Sequence, residues 1–235
     1  MTEKSKKRKF VNTRKYAFEF LSIFIAVIAA FALNNWNDNR KDNIAESKIL
    51  SEIYYGLDLD LKDVEVNMIG HKFGLRACDF YREIVTNQYE GTMDSFFIWH
   101  HSLNRDFTSI QNTSGYETLK SRGFELIKND SLRSKIISLY ESDYQSLRKI
   151  EEEYYALQFY ENYFQDMNDM LSPFYQFDSI GNFTLKTPLT LAENDQKKFL
   201  SYLYEITSNR KFVMRFYDQV KSNIIELKDN IEKEM

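Results

Sequence analysis

The 235-residue chain has a helix-forming composition, with two prolines, seven glycines, 43% hydrophobic and 28% charged residues. Its 31 Lys and Arg stand against 35 Asp and Glu, a balance that argues against a nucleic-acid partner, whose phosphates need a basic surface. Cys78 is the single cysteine, so no internal disulfide framework is available and a packed core must hold the fold.

The first element is the segment from Tyr16 to Leu33, apolar apart from Glu19. As a helix it spans about 27 Å, close to the hydrocarbon thickness of about 30 Å. Trp36 follows as an interfacial foot, and the segment is predicted to be a transmembrane helix over 16–36. Lys4, Lys6, Lys7, Arg8, Lys9, Arg14 and Lys15 precede it, opposed only by Glu3. Positive flanks stay inside, so 1–15 is expected to be a cytoplasmic tail and 37–235 an extracytoplasmic, periplasmic domain. Setting aside those seven bases, Glu3 and Glu19 leaves 24 basic and 33 acidic residues. The rival reading is a cleaved signal peptide, because Ala30-Phe31-Ala32 has the form of a cleavage site; the length of the apolar stretch, Glu19 and the bulky Phe31 and Leu33 speak for an anchor. Glu19 sits about one turn from the cytoplasmic edge, where its carboxylate can reach water and pair with Lys15 four residues earlier.

Beyond the anchor, Leu50, Ile53, Tyr54, Leu57, Leu61, Val64 and Met68 recur at spacings of three and four, the pattern of one helix face. Gly70 and Gly74 are expected to bend or loosen this helix, which resumes over Leu75 to Thr86 and ends by Gly91. Asp58, Asp60, Asp63 and Glu65 spread round it and read as a solvated face, since they lack the central Gly and terminal Glu of a calcium loop. Asp94 to Asn104 holds Phe96, Phe97, Ile98, Trp99 and Leu103 and is predicted to be a short, largely buried helix. Ser114-Gly115-Tyr116-Glu117 has the form of a capping box, with Gly123 as the stop. Asn129 is an N-cap candidate for a long helix from about Leu132 to Leu171. Ser172 to Pro188 reads as an irregular crossover. Thr190-Leu191-Ala192-Glu193, a second capping box, opens a last helix carrying Phe199, Leu203, Ile206, Val213, Phe216, Val220, Ile224, Leu227 and Ile231. The expected fold is all-α: an N-terminal transmembrane helix leading into an elongated antiparallel helical bundle.

The run Tyr16-Ala17-Phe18-Glu19, the apolar span, and Asn34-Asn35-Trp36-Asn37-Asp38-Asn39-Arg40 together resemble the N-terminal signature of a family of single-pass membrane proteins abundant in Bacteroidota, catalogued as a domain of unknown function. Ile49 to Ile53 with Asp58 and Asp60, and Tyr116 to Gly123 leading to Leu126 to Asn129 and Leu132-Arg133, agree with it. The family usually has glycines where this chain has Phe18 and Ala26. The resemblance implies a bacterial inner-membrane setting and brings no activity, cofactor or catalytic residue.

Signs of chemistry are few. His71 and Cys78, with Asp79 and Glu83, can be drawn as a metal site, but the paired His or Cys motifs of a zinc centre are missing. No phosphate-binding glycine loop or nucleophile elbow occurs, so the expectation is no enzyme, no cofactor and no metal. Tyr154, Tyr155, Phe159, Tyr160, Tyr163 and Phe164 cover more than one helix face and divide between core packing and a partner or ligand patch. The expected partners are the lipid bilayer and either another membrane or envelope protein or a second copy. The leading role is an interaction or scaffold protein; the alternatives are a ligand-sensing module and an accessory subunit of a membrane complex.

Overall fold

A computed structural model describes residues 13–235, and Lys4, Lys6, Lys7, Arg8 and Lys9, on which much of the orientation argument rests, lie outside them. Cα packing divides the chain between Lys48 and Ile49. The first unit is helical from Thr13, the start of α1 (Thr13–Val85). Among the described residues this is the one helix long and apolar enough to cross a membrane, and every residue from 15 to 44 is exposed. An apolar surface on all sides of a helix suits lipid.

The second unit is a helical bundle with little sheet. Its members are the remainder of α1, then α2 (Phe96–Asn104), α3 (Ser114–Arg122), α4 (Asp130–Ser138), α5 (Tyr144–Glu153), α6 (Gln165–Leu171), the short strands β1 (Tyr175–Phe177) and β2 (Phe183–Leu185), and α7 (Glu193–Glu234). α7 runs antiparallel to α1, because Asp58 meets Lys228, Glu65 meets Lys221 and the Val85 carbonyl meets Gln196. It runs antiparallel to α4–α6 as well, through Lys135–Glu226, Asp143–Asn223 and Asp166–Lys198.

The apolar stripes meet in two clusters. The first joins α1 from Ile49 to Met68 with α3, α4, α5 and α7 from Val213 to Ile231. The second joins α1 from Ala77 to Val85 with α2, α6, β2 and α7 from Phe199 to Ile206. Each fully buried Leu, Ile or Phe contributes about 1.5–3 kcal/mol. Between the clusters lie His71 and Gly74 on α1 and Arg210 on α7, so the bundle core is interrupted by a polar layer.

Several expectations are corrected. The helix predicted from Leu132 to Leu171 is broken at Tyr154–Gln158, where Tyr154 and Gln158 take extended ψ values of 104° and 92°, and π-turns occupy Leu139–Asp143 and Tyr160–Phe164. Side chains hold the break. Gln158 donates to the Glu151 carbonyl, Asn162 to the Tyr155 carbonyl, and Asn209 and Tyr163 to the Ala156 carbonyl, satisfying groups that helix continuation would have paired.

The crossover contains an antiparallel hairpin that pairs Tyr175 with Leu185 and Phe177 with Phe183. Neither capping box forms. Thr113 and Ala192 hold the N-cap positions without side-chain caps, and Ser114 donates to Asn112 Oδ1 instead. Asn129 does cap α4, accepting from the Ser131 and Leu132 N–H groups. On α2 only Phe96, Leu103 and Asn104 are buried, while Phe97 and Ile98 face outward.

α1 continues through Gly70 and Gly74; what these positions provide is close approach, by the Phe107 ring and the Arg210 guanidinium respectively. Gly115 does the same for the contact of α3 with α1, where a Cβ would lie 2.8 Å from the Ile53 backbone nitrogen and 2.9 Å from its Cγ1. The obstacle includes main chain of another helix, so Gly115→Ala should destabilise the bundle by about 2 kcal/mol despite the better helix propensity of Ala. Urea unfolding of the detergent-solubilised chain checks this; an unchanged or raised midpoint contradicts it.

Candidate functional site

The polar layer opens into a cleft with an internal volume of about 40 Å³, enough for a water or two. Its lining includes His71, Asp106, Phe107, Glu151, Phe159 and Arg210. Arg210 is 5% exposed and His71 6%; both are far from the solvated positions such residues usually take.

The Arg210 guanidinium reaches across to the end of α2 and the chain beyond it. One terminal nitrogen donates to the Leu103 and Arg105 carbonyls at 2.9 Å each and to that of Ser102 at 3.4 Å. The last carbonyls of a helix have no partner within it, and a cation there complements its dipole. The other terminal nitrogen faces His71 Nδ1 at 3.3 Å. Guanidinium has only donors, so Nδ1 accepts and the His71 proton resides on Nε2. Neither that Nε2 nor Arg210 Nε has a partner. Burial, with the Arg210 charge adding to it, pushes the His71 pKa down to about 3. Burial also lowers that of Arg210, against the opposing influence of Cys78 and Asp106.

The loop closing the cleft, residues 105–113, is fixed by carboxylates. Asp60 accepts from the Asn112 N–H at 2.6 Å and the Tyr144 hydroxyl at 2.7 Å; Asp63 accepts from the Ile110 N–H at 2.9 Å. Glu151 accepts from the Ser109 N–H and hydroxyl and from the Tyr217 hydroxyl. The solvated-face reading is therefore corrected: Asp60 is buried, its pKa pushed up to about 6 by burial against the two hydrogen bonds, while Asp58 and Glu65 pair with Lys228 and Lys221. Asp106 is exposed at the mouth. Enclosure raises its pKa and that of Glu151, partly countered by Arg210 and the Phe159 N–H for Asp106 and by Tyr217 and Ser109 for Glu151.

The aromatic group read from the sequence is divided by the broken helix. Phe159 and Tyr163 are buried, Phe164 is half-buried, and Tyr154, Tyr155 and Tyr160 are exposed. Glu19 stands 4.0 Å from Lys15, and the Arg40 guanidinium lies over the Trp36 ring at 5.9 Å. Cys78 is buried and His71 faces Arg210. The residues that sequence reasoning missed are Arg210, Asp106 and Glu151. Arg210 left a signal, since it falls four residues after Ile206 and three before Val213, a charge set on the apolar stripe of α7.

A second feature lies on the outer face of α1. Tyr55, Leu59, Val66, Ile69 and Phe73 are exposed, from 38% at Phe73 to 66% at Tyr55. With Lys62 they alternate spacings of four and three, the a and d positions of a coiled-coil seam. No family model matches the chain, and no similar protein is found among curated sequences or solved structures.

Proposed function

We propose that the protein is a single-pass inner-membrane protein, not an enzyme, whose N-terminus is cytoplasmic and whose periplasmic bundle acts as an interaction module of the bacterial envelope by pairing with a second copy. The basic flank of the anchor supports the orientation, and the Asn34-Asn35-Trp36-Asn37 motif supports placement with the Bacteroidota family.

The observation that carries the reading is the exposed seam from Tyr55 to Phe73. Two anchored copies enter the bilayer with the same orientation, so the partner helix that fits without strain is a parallel one. In a parallel pair, a positions meet their own counterparts, which places Val66 against Val66. Lys62, a d position by the same count, brings two like charges together in such a pair and lowers its affinity. Val66→Cys is therefore expected to give a disulfide-linked dimer in membranes under mild oxidation, and adding Leu59→Glu should abolish it. Crosslinking no greater than that of Tyr204→Cys, an exposed position on α7, would count against pairing. The cleft around Arg210 favours a second reading, a ligand-sensing module.

A further inference from the structure

We infer that two reciprocal ion pairs join the copies across the seam, Lys62 of each with the partner's Asp63. The inference rests on the pairing along α1 and names the residues that make this surface complementary to itself. Lys62 is exposed in the middle of the seam, between Leu59 and Val66. The carboxylates a helical lysine ordinarily meets lie three or four positions away, and here they are Asp58 and Glu65. Both are engaged by α7, Asp58 by Lys228 and Glu65 by Lys221 at 2.8 Å. Among the described residues of its own copy, Lys62 therefore has no carboxylate partner.

Asp63 has the complementary need. Its Oδ2 accepts from the Ile110 N–H at 2.9 Å and from the Asn67 amide at 3.0 Å, while Oδ1 accepts from none of the described residues. Adjacent residues on a helix do not face each other, so Lys62 and Asp63 of one copy cannot satisfy this need between them. Across a parallel pair they can. With Val66 at a, Lys62 is at d and Asp63 at e; a d side chain enters a hole formed by four residues of the facing helix, and the e residue next to its own counterpart is one of the four. Two-fold symmetry repeats each contact with the roles exchanged, so one bridge implies the second. The two bridges offset the repulsion between the Lys62 ammonium groups, which a facing helix without the carboxylate could not do. Ile110, 76% exposed, is held on the same flank by its N–H and sets an apolar side chain beside the bridge.

The test measures the dimer dissociation constant of the full, detergent-solubilised chain by sedimentation equilibrium. Asp63→Asn keeps an acceptor for the Ile110 N–H and removes the charge; with both bridges lost it should weaken pairing about tenfold. In a Lys62→Met background, where no bridge exists, the same substitution should change the constant by less than about twofold. Pairing of Asp63→Asn as tight as wild type overturns the inference and leaves the pairing itself standing. A tenfold loss in both backgrounds also overturns it, since Asp63 would then act through the loop it holds. A wild-type chain that stays monomeric and gives no Val66→Cys disulfide overturns the inference and the pairing together.

Discussion

Arg210→Met is expected to destabilise the bundle by about 4 kcal/mol, the order reached when several buried acceptors lose their donor at once. Met matches the aliphatic stem and fills much of the volume, so the loss comes from the partners. The carbonyls of Ser102, Leu103 and Arg105 belong to the main chain at and beyond the end of α2 and cannot be exchanged for apolar groups, unlike the side-chain partner of an ordinary buried ion pair. Each carbonyl left buried without a donor costs about 1–3 kcal/mol. Arg210→Lys should recover only part of the loss, because one ammonium cannot span His71 Nδ1 and the carbonyls together. Arg215→Met, at an exposed position one turn later, should change stability by less than about 0.5 kcal/mol. Urea midpoints of the three variants decide the matter; an Arg210→Met midpoint close to that of Arg215→Met would mean that the polar layer holds nothing.

The same residues show what was legible in the chain. The three-four ladders of α1 and α7 name their buried faces almost completely: Leu50, Ile53, Leu57, Val64 and Met68, then Phe199, Leu203, Ile206, Val213, Val220, Ile224, Leu227 and Ile231. Periodicity reports burial, and these helices are long enough to make the period plain. The break at Tyr154 was illegible because Ile150, Tyr154 and Leu157 keep helical spacing while Asn162, Asn209 and Gln158 supply the alternative hydrogen bonds. One of those partners lies some fifty residues away, outside any local pattern. The aspartates of α1 misled for a related reason. Their donors are main-chain N–H groups of residues 110 and 112, which carry no side-chain signature, so composition alone assigned Asp60 to solvent. Arg210 was readable as a charge on an apolar stripe, but its counterpart, the end of α2, is again main chain.

Acidification should weaken the bundle from about pH 6.5 downward, before most carboxylates protonate. His71 is held neutral with its pKa near 3 by burial and by Arg210, and His100 near 4 by burial and by His101. His100 accepts from Asn104 at Nε2 and faces the Tyr81 hydroxyl at Nδ1, so a second ring proton has no acceptor without rearrangement. In the unfolded chain both rings take up protons near pH 6.5. Stability from these groups is therefore present above pH 6.5 and lost as the pH falls toward the folded values. Between pH 7 and pH 4 each histidine loses about 3 kcal/mol. Asp60 acts oppositely, because its pKa near 6 is raised: the folded state binds that proton first, returning about 2 kcal/mol over the same interval. From these three groups the sum is a loss of about 4 kcal/mol by pH 4, a large part of the stability of an ordinary domain, which Asp106 and Glu151, their pKa values also raised, reduce in the same way as Asp60. His71→Gln retains an acceptor for Arg210 and does not titrate, so the slope of stability against pH between 6 and 4 should decrease by about one proton's worth, near 1.4 kcal/mol per pH unit. Urea unfolding across this range measures the slope. If His71→Gln shows the wild-type slope, His71 is protonated in the folded bundle, and the hydrogen bond from Arg210 to its Nδ1 cannot exist.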